Sequence, residues 1–126
     1  MTEKKYLICY MEYEFKKKND YNKRLVESTN IKNKYPDRIP IIVEKYKDSK
    51  LPTIDKCKYL VPKDMNLGQF VYIIRKRIKL ESNQALFVTV NSVLESSNIL
   101  ISELYEKQKD EDGFLYIIYT TENTFG

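Results

Sequence analysis

Apolar and polar positions alternate along the chain in short blocks, and the first block has a helical spacing. In residues 21–34 the apolar side chains Leu25, Val26 and Ile31 stand among charged ones at this spacing. Pro36 ends the pattern, because a proline disfavours helical backbone at the residue before it. The sequence therefore predicts a helical N-terminal segment in which these three residues supply the apolar pattern.

The later blocks predict strands and two more helices. The clearest helix begins after Asn66, because Asn66 and Gln69 have the spacing of a capping box and apolar residues continue at helical spacing as far as Ile78. In chain order the predicted elements are strands at 39–43 and 57–62, the helix from 67, a strand at 85–90, a helix at 99–105 and a strand at 114–119.

The order ββαβαβ indicates the fold class. We expect the first two strands to pair as a hairpin with a long connection, crossed by the long helix and joined by two more strands. This is the arrangement of the ubiquitin-like β-grasp, an α+β fold in which the last strand is central. We expect residues 1–36 to form an N-terminal helical segment with a leading extension, giving two N-terminal helices, and residues 37–126 to form the β-grasp domain.

The second predicted strand has the residues of an exposed sheet edge. Pro62 closes it, and Lys56, Lys58 and Lys63 surround it. Lysine and proline at an edge strand discourage unwanted pairing with other chains. The sequence therefore predicts that this strand lies at the margin of the sheet.

Composition indicates one small domain and no membrane span. The chain has 126 residues, 42% of them hydrophobic, and no apolar run reaches the ~20 residues that a span requires. The run Tyr6 to Met11 is shorter than a signal-peptide core. Cys9 and Cys57 have neither the number nor the spacing of a disulfide framework or a zinc site, so we expect free thiols and a cytoplasmic or nuclear protein.

The absence of histidine argues against an enzyme. Without an imidazole the chain cannot build a Ser-His-Asp triad, a Cys-His dyad or a histidine metal site. Gly68, Gly113 and Gly126 stand too far apart for a phosphate-binding loop. The acidic turn at 109–113 is interpreted as a solvated loop. We expect no catalytic residue, no metal and no cofactor.

The net charge of +4 comes from the N-terminal third. Residues 1–34 hold nine Lys or Arg and five Asp or Glu, whereas the remainder holds thirteen of each. The basic group Lys16, Lys17, Lys18, Lys23 and Arg24 fits either an anionic partner surface or a solvated helix face. No basic and aromatic pattern typical of RNA recognition is present, so we expect no nucleic-acid partner.

Several short motifs together resemble one family. The chain is similar to autophagy-related ubiquitin-like modifiers of the GABARAP and autophagy-protein-eight type, without obvious gaps from about Phe15 to the end. The motifs that carry the resemblance are Lys58 to Pro62, Gly68 to Tyr72, Arg75 to Arg77, Asp110 to Tyr116 and Glu122 to Gly126.

The resemblance implies a modifier that is conjugated through Gly126. Its carboxylate would be adenylated, passed as a thioester between cysteines of an activating and a conjugating enzyme, and amide-linked to phosphatidylethanolamine. This would move the protein from the cytoplasm to the autophagosome membrane. Family members usually carry residues beyond this glycine, which a cysteine protease removes; the same protease deconjugates the lipid. The alternatives left open are attachment to protein lysines and a non-conjugated peptide-binding adaptor.

The resemblance also implies a groove for peptides with an aromatic-x-x-aliphatic motif, which add a strand to the exposed edge. The aromatic pocket would be lined by Glu27, Ile31, Pro40, Ile42, Lys58, Leu60 and Phe114. The aliphatic pocket would be lined by Tyr59, Val61, Pro62, Met65, Phe70 and Ile73. Acidic residues beside the motif would meet the rim cations Arg38, Lys56 and Arg77.

Some residues allow two interpretations or differ from the family pattern. Ile42, Leu60, Val61 and Phe70 fit ordinary core packing as well as a pocket rim. Cys57 stands where the family has a basic residue, so we expect weaker attraction for acidic ligands. The leading residues 1–10 lie outside the resemblance, and their apolar run is expected either to contact a bilayer or to dock on the domain itself.

Overall fold

Residues 13–121, which the computed structural model of the protein describes, form four helices and one four-stranded sheet. The α+β fold class, with two helices ahead of the first strand, is confirmed. Within these residues, no helix has the length and apolar character needed to cross a membrane. The elements in chain order are α1 (Glu14–Lys18), α2 (Tyr21–Lys34), β1 (Arg38–Lys45), β2 (Lys58–Pro62), α3 (Leu67–Arg77), β3 (Phe87–Thr89), α4 (Ile101–Gln108) and β4 (Leu115–Thr120).

The sheet places the first strand of the chain beside the last described strand. Its strand order is β2-β1-β4-β3. β1 pairs antiparallel with β2 and parallel with β4, and β4 pairs antiparallel with β3. Ile41 therefore lies opposite Leu115. The predicted hairpin and the central position of the last strand are both confirmed.

Helix α3 begins with the predicted capping box, whereas α4 begins later than predicted. The Gln69 N–H donates to Asn66 Oδ1 at 2.8 Å, and the Asn66 N–H donates to Gln69 Oε1 at 2.9 Å. Ahead of α4, the Leu67 N–H donates to the Ile99 carbonyl and the Ile101 N–H donates to the Met65 carbonyl. Because residues 99–101 pair with the segment before α3, the helix begins only at Ile101.

The two faces of the sheet are covered by different helices. The α3-side cluster packs α3 and α4 on one face; its residues include Ile39, Ile41, Val43, Val61, Phe70, Ile74 and Leu104. The α2-side cluster packs α1 and α2 on the other face; it comprises Phe15, Ile42, Phe114 and Tyr116, with Tyr13 and Ile31 at its margin. Neighbouring strand residues such as Ile41 and Ile42 enter opposite clusters because side chains alternate along a strand.

A buried ion pair fastens α2 to the start of β4. Asp112 is fully buried, and its Oδ2 accepts hydrogen bonds from Arg24 Nε at 2.8 Å and from the Tyr116 hydroxyl at 2.5 Å. Its Oδ1 accepts from the Phe114 N–H at 2.9 Å, and its carbonyl accepts from the Ser28 hydroxyl. Burial and the hydrogen bond to Asp112 raise the pKa of Tyr116 far above its ordinary value. The interpretation of the acidic turn as solvated is therefore wrong for Asp112.

Helix α2 is rotated from the orientation that its apolar residues suggest. Arg24 and Ser28 are buried, whereas Leu25 is 36% exposed and Val26 is 58% exposed. The bonds of Arg24 and Ser28 to Asp112 account for this orientation, because an unpaired buried carboxylate would be strongly unfavourable. Only Ile31 of the three predicted apolar positions packs against a core cluster.

Helix α1 is held to the sheet by charged groups. The Glu44 carboxylate accepts hydrogen bonds from the backbone N–H groups of Glu14 and Phe15 at 2.8 and 2.9 Å. Lys16 Nζ lies 2.7 Å from Asp110 Oδ1. Burial opposes ionisation of Asp110, but Lys16 and the Asp112 N–H outweigh it, so the pKa of Asp110 lies below its ordinary value. Lys16, like Arg24, is thus engaged inside the fold, and the predicted basic group is smaller than its sequence suggests.

Candidate functional site at the edge of the sheet

Strand β2 has one free edge among the described residues, since it pairs with β1 alone. The Val43 N–H donates to the Cys57 carbonyl and the Lys63 N–H donates to the Asp37 carbonyl. Hydrogen-bonded and non-hydrogen-bonded residue pairs alternate along an antiparallel ladder. The backbone N–H and C=O groups of the odd-numbered residues of β2 therefore face β1. The backbone N–H and C=O groups of Lys58 and Leu60 therefore point outward, where another strand can bond to them.

The side chains on either side of this edge reach different clusters. Tyr59 and Val61 pack with the α3-side cluster, and the Tyr59 ring meets the Phe70 ring edge-on at 5.4 Å. Lys58 turns the other way, with its ammonium group 2.8 Å from Glu27 and 5.5 Å from the centre of the Phe15 ring. The edge of β2 thus runs between two apolar faces.

The residues predicted to line the aromatic pocket gather on the α2 side of this edge. Ile42 and Phe114 are buried in the α2-side cluster, and Ile31 packs against it. Pro40 is buried in β1 opposite Leu60, which is half-buried. Glu27 and Lys58 pair across the surface above them.

The residues predicted to line the aliphatic pocket gather on the α3 side. Val61 and Phe70 are buried in the α3-side cluster, and Tyr59, Met65 and Ile73 pack against it. Pro62 is half-buried at the end of β2. Because Ile42, Val61 and Phe70 are at most 5% exposed, they are core residues in this structure, and a pocket could use them only as its floor.

The cations along the edge all have partners within the protein. Lys58 and Arg77 are paired with carboxylates, Arg38 with a carbonyl and Lys56 with an aromatic ring. The pairs are Lys58 with Glu27 at 2.8 Å, Arg77 with Asp55 at 2.8 Å, Arg38 with the Leu60 carbonyl at 3.4 Å, and Lys56 with the Tyr59 ring at 5.3 Å. A ligand that uses these cations must compete with these internal contacts.

Sequence reasoning missed two residues of this region. Phe15 packs edge-on against Phe114 at 5.2 Å and lies under Lys58, so α1 contributes to the aromatic side. Asp55, in the connection before β2, pairs with Arg77. The family resemblance begins near Phe15, and this could have indicated that Phe15 belongs to the region. Nothing in the sequence pattern linked Asp55 to a helix about twenty residues away.

Two tyrosine hydroxyls differ sharply in their hydrogen bonding. The Tyr59 hydroxyl is buried and has no hydrogen-bond partner among residues 13–121, and burial raises its pKa. The Tyr119 hydroxyl accepts from the Ile54 N–H at 2.8 Å and donates to the Pro52 carbonyl at 2.6 Å. Tyr119 thereby fastens the long β1–β2 connection to the central strand.

We expect Tyr59→Phe to leave the free energy of unfolding unchanged or slightly raised, because it removes an unsatisfied polar group. Tyr119→Phe deletes the same atom but leaves the Ile54 N–H without its partner, at a cost of about 1–3 kcal/mol. Urea unfolding of both variants measures the difference. Equal losses in the two variants would contradict this account of the hydroxyls.

A separate cavity of about 530 Å³ lies between α1 and the β1–β2 connection. Phe15, Glu44, Ile54 and Cys57 are among the residues that line it. None of the predicted pocket residues lines this cavity. The described residues also contain no cluster of His, Cys, Asp or Glu suited to a metal ion.

Gly126, predicted as the conjugation residue, lies outside the described residues. Strand β4 ends at Thr120, so only a short stretch of chain separates this glycine from the centre of the sheet. Its predicted role rests on the sequence.

Comparison with known proteins gives consistent matches over most of the chain. The family model described as "Autophagy protein Atg8 ubiquitin like" matches residues 23–126. Autophagy-related protein 8e of Arabidopsis thaliana is 59% identical over 112 residues, covering 89% of this chain and 92% of the relative. Autophagy-related protein 8 of Mycosarcoma maydis is 54% identical over 116 residues, covering 92% of this chain and 98% of the relative.

A solved structure agrees with the sequence matches. The crystal structure of Trypanosoma brucei ATG8 superposes with a TM-score of 0.84 at 42% identity, covering 91% of this chain and 99% of that chain. At this identity the likeness extends beyond a shared fold. The protein therefore belongs to the Atg8 family of ubiquitin-like autophagy proteins.

Proposed function

We propose that this protein is a ubiquitin-like modifier that is conjugated through the Gly126 carboxylate to phosphatidylethanolamine on autophagic membranes. Membership of the Atg8 family supports this proposal, and Gly126 lies within the residues that the family model matches. The activating enzyme would adenylate the Gly126 carboxylate with ATP and release pyrophosphate, and its cysteine would then displace AMP to form a thioester. Transfer to the cysteine of the conjugating enzyme frees the first thiol, and the amine of phosphatidylethanolamine displaces the second thiol to form the amide. Glycine has no Cβ, so its acyl carbon is open to each of these nucleophiles. The protein contributes the acyl group and no catalytic residue of its own.

We further propose that the edge of β2 binds receptors that carry an aromatic-x-x-aliphatic motif. In an extended peptide, residues three positions apart lie on opposite faces of the strand. The two apolar clusters lie on opposite sides of the β2 edge, so a peptide paired to Lys58 and Leu60 would direct its aromatic residue to one cluster and its aliphatic residue to the other. This match between motif spacing and geometry is the observation that carries the proposal.

Binding at this edge requires two internal contacts to open. Arg38 must release the Leu60 carbonyl, and the Lys58–Glu27 pair must move from above the α2-side cluster. Both contacts are largely exposed to water, where such pairs are weak. The membrane-bound modifier would then hold receptors through its groove while its lipid holds the autophagosome membrane. Before conjugation the protein would be cytoplasmic.

The conjugation half of the proposal is tested by reconstitution. The purified protein is incubated with activating and conjugating enzymes, ATP and liposomes that contain phosphatidylethanolamine. Intact-mass measurement should show one added lipid, and omission of ATP should prevent its formation. Thioester formation without a lipid adduct would favour attachment to another amine; absence of both would favour the non-conjugated adaptor.

The groove half of the proposal is tested with N-methylated peptides. In a bound strand, every second backbone N–H faces β2 and the others face solvent. Methylating an N–H that faces the edge removes a hydrogen bond and introduces a clash, so we expect at least about tenfold weaker binding. Methylating its neighbour should change the dissociation constant little. Calorimetry that finds equal effects at both positions would exclude strand addition at this edge.

A further inference from the structure

The ion pair between Arg77 and Asp55 lies beside the predicted aliphatic pocket. Arg77 Nε donates to Asp55 Oδ1 at 2.8 Å, and a second guanidinium nitrogen lies 3.4 Å from Oδ2. This is the fork geometry in which arginine recognises a carboxylate. Lys56, which follows Asp55 in the chain, has its ammonium group 5.3 Å from the centre of the Tyr59 ring, so the pair lies next to that pocket residue.

The Asp55 carboxylate occupies two of the Arg77 nitrogens to which an acidic ligand side chain could bind. Arg77 is the only rim cation in the described groove with both ends of its fork directed at one carboxylate. The hydrogen bond from Arg77 lowers the pKa of Asp55, so the pair is charged on both sides at neutral pH. A ligand carboxylate can bind Arg77 in this fork geometry only when Asp55 leaves.

The pair is exposed enough to exchange. The side chains of Arg77 and Asp55 are 43% and 71% exposed. Exposed ion pairs contribute little net free energy, because water and salt screen them. Asp55 would therefore weaken the attraction of Arg77 for an incoming acid without abolishing it.

We propose that Asp55 is a specificity-determining residue that competes with acidic ligand side chains for Arg77. It lowers the preference of the groove for peptides with acidic flanks and leaves binding of the aromatic-x-x-aliphatic motif unchanged. The Cys57 thiol acts in the same direction, because it contributes no positive charge between Lys56 and Lys58. The inference rests on the proposed groove and adds to it a selection against strongly acidic partners.

The test uses two synthetic peptides with the same aromatic-x-x-aliphatic motif. One is flanked by glutamates and the other by glutamines at the same positions. Asp55→Asn should tighten binding of the acidic peptide by about threefold at low salt and leave the neutral peptide unchanged. Glu106→Gln, on α4, makes the same change in net charge and should alter neither. Raising the salt concentration to ~0.5 M should remove most of the gain.

A double-mutant cycle identifies Arg77 as the residue through which Asp55 acts. In the Arg77→Gln background, Asp55→Asn should no longer tighten binding of the acidic peptide. A gain that persists there, or that Glu106→Gln reproduces, would show a general charge effect and overturn the proposal. So would an unchanged affinity of Asp55→Asn for the acidic peptide.

The two peptides also separate this inference from the groove itself. If the neutral peptide binds the unaltered protein and Asp55→Asn has no effect on the acidic one, the groove stands and the competition is wrong. If neither peptide binds, the groove proposal fails and this inference fails with it.

Discussion

Replacing Asp112 by alanine should destabilise the folded protein by about 3–5 kcal/mol. The change leaves the Arg24 guanidinium, only 8% exposed as a residue, without its buried counter-charge. It also removes the acceptor of the Tyr116 hydroxyl and of the Phe114 N–H. Urea unfolding followed by circular dichroism measures the loss.

The neighbouring acid provides the control for this prediction. Glu111 is exposed, and the Tyr21 hydroxyl donates to the backbone carbonyl of Glu111 and not to its side chain. Glu111→Ala should therefore lower the free energy of unfolding only slightly. Asp112→Asn keeps the carbonyl acceptor but loses the charge, and we expect an intermediate loss. A loss for Asp112→Ala no greater than that for Glu111→Ala would show that the buried pair does not fasten α2 to the sheet.

Replacing Gly126 by alanine should abolish formation of the phosphatidylethanolamine adduct. An alanine places a methyl group beside the activated acyl carbon that the enzyme cysteines must attack, in a channel that must admit the C-terminal residues. Intact mass after reconstitution measures the adduct, and a non-reducing gel measures the thioester that precedes it. The free energy of unfolding should be unchanged.

Asn123→Ala is the matched control, since it alters the same tail without adding a side chain at the reacting carboxylate. It should form the adduct. If Gly126→Ala forms the adduct at the rate of the unaltered protein, the steric argument is wrong. If neither variant nor the unaltered protein forms it while peptides still bind at β2, the protein acts as a non-conjugated adaptor.

Local rules predicted the parts of the fold that depend on nearby residues. The capping box of Asn66 and Gln69 is a contact between residues three positions apart, and the structure has both of its hydrogen bonds. The turn at 109–113 was also predicted, and within it Gly113 has a φ of 90°, in the left-handed region that favours glycine. A Cβ there would also collide with Ser28.

Local rules failed where a distant residue decides the outcome. The orientation of α2 depends on Asp112, which lies 88 positions from Arg24, and it leaves Leu25 and Val26 in solvent. No helical periodicity contains that information. The same holds for Asp55, whose partner Arg77 lies on another element. The pocket residues came from the family resemblance; the structure places them beside the β2 edge, and their binding role stays a prediction.

The place of β4 in the sheet has a consequence for how the protein is made. Strand β4 is synthesised after the other three described strands, so β1 has no partner on one side until residues 115–120 have left the exit tunnel. Until then Ile41 and Ile42 lack the strand that pairs with them, and the open edge of β1 can pair with a strand of another chain. The sheet can therefore close only after residues 115–120 have been synthesised, and the nascent β1 is open to wrong pairing for longer than the finished protein is.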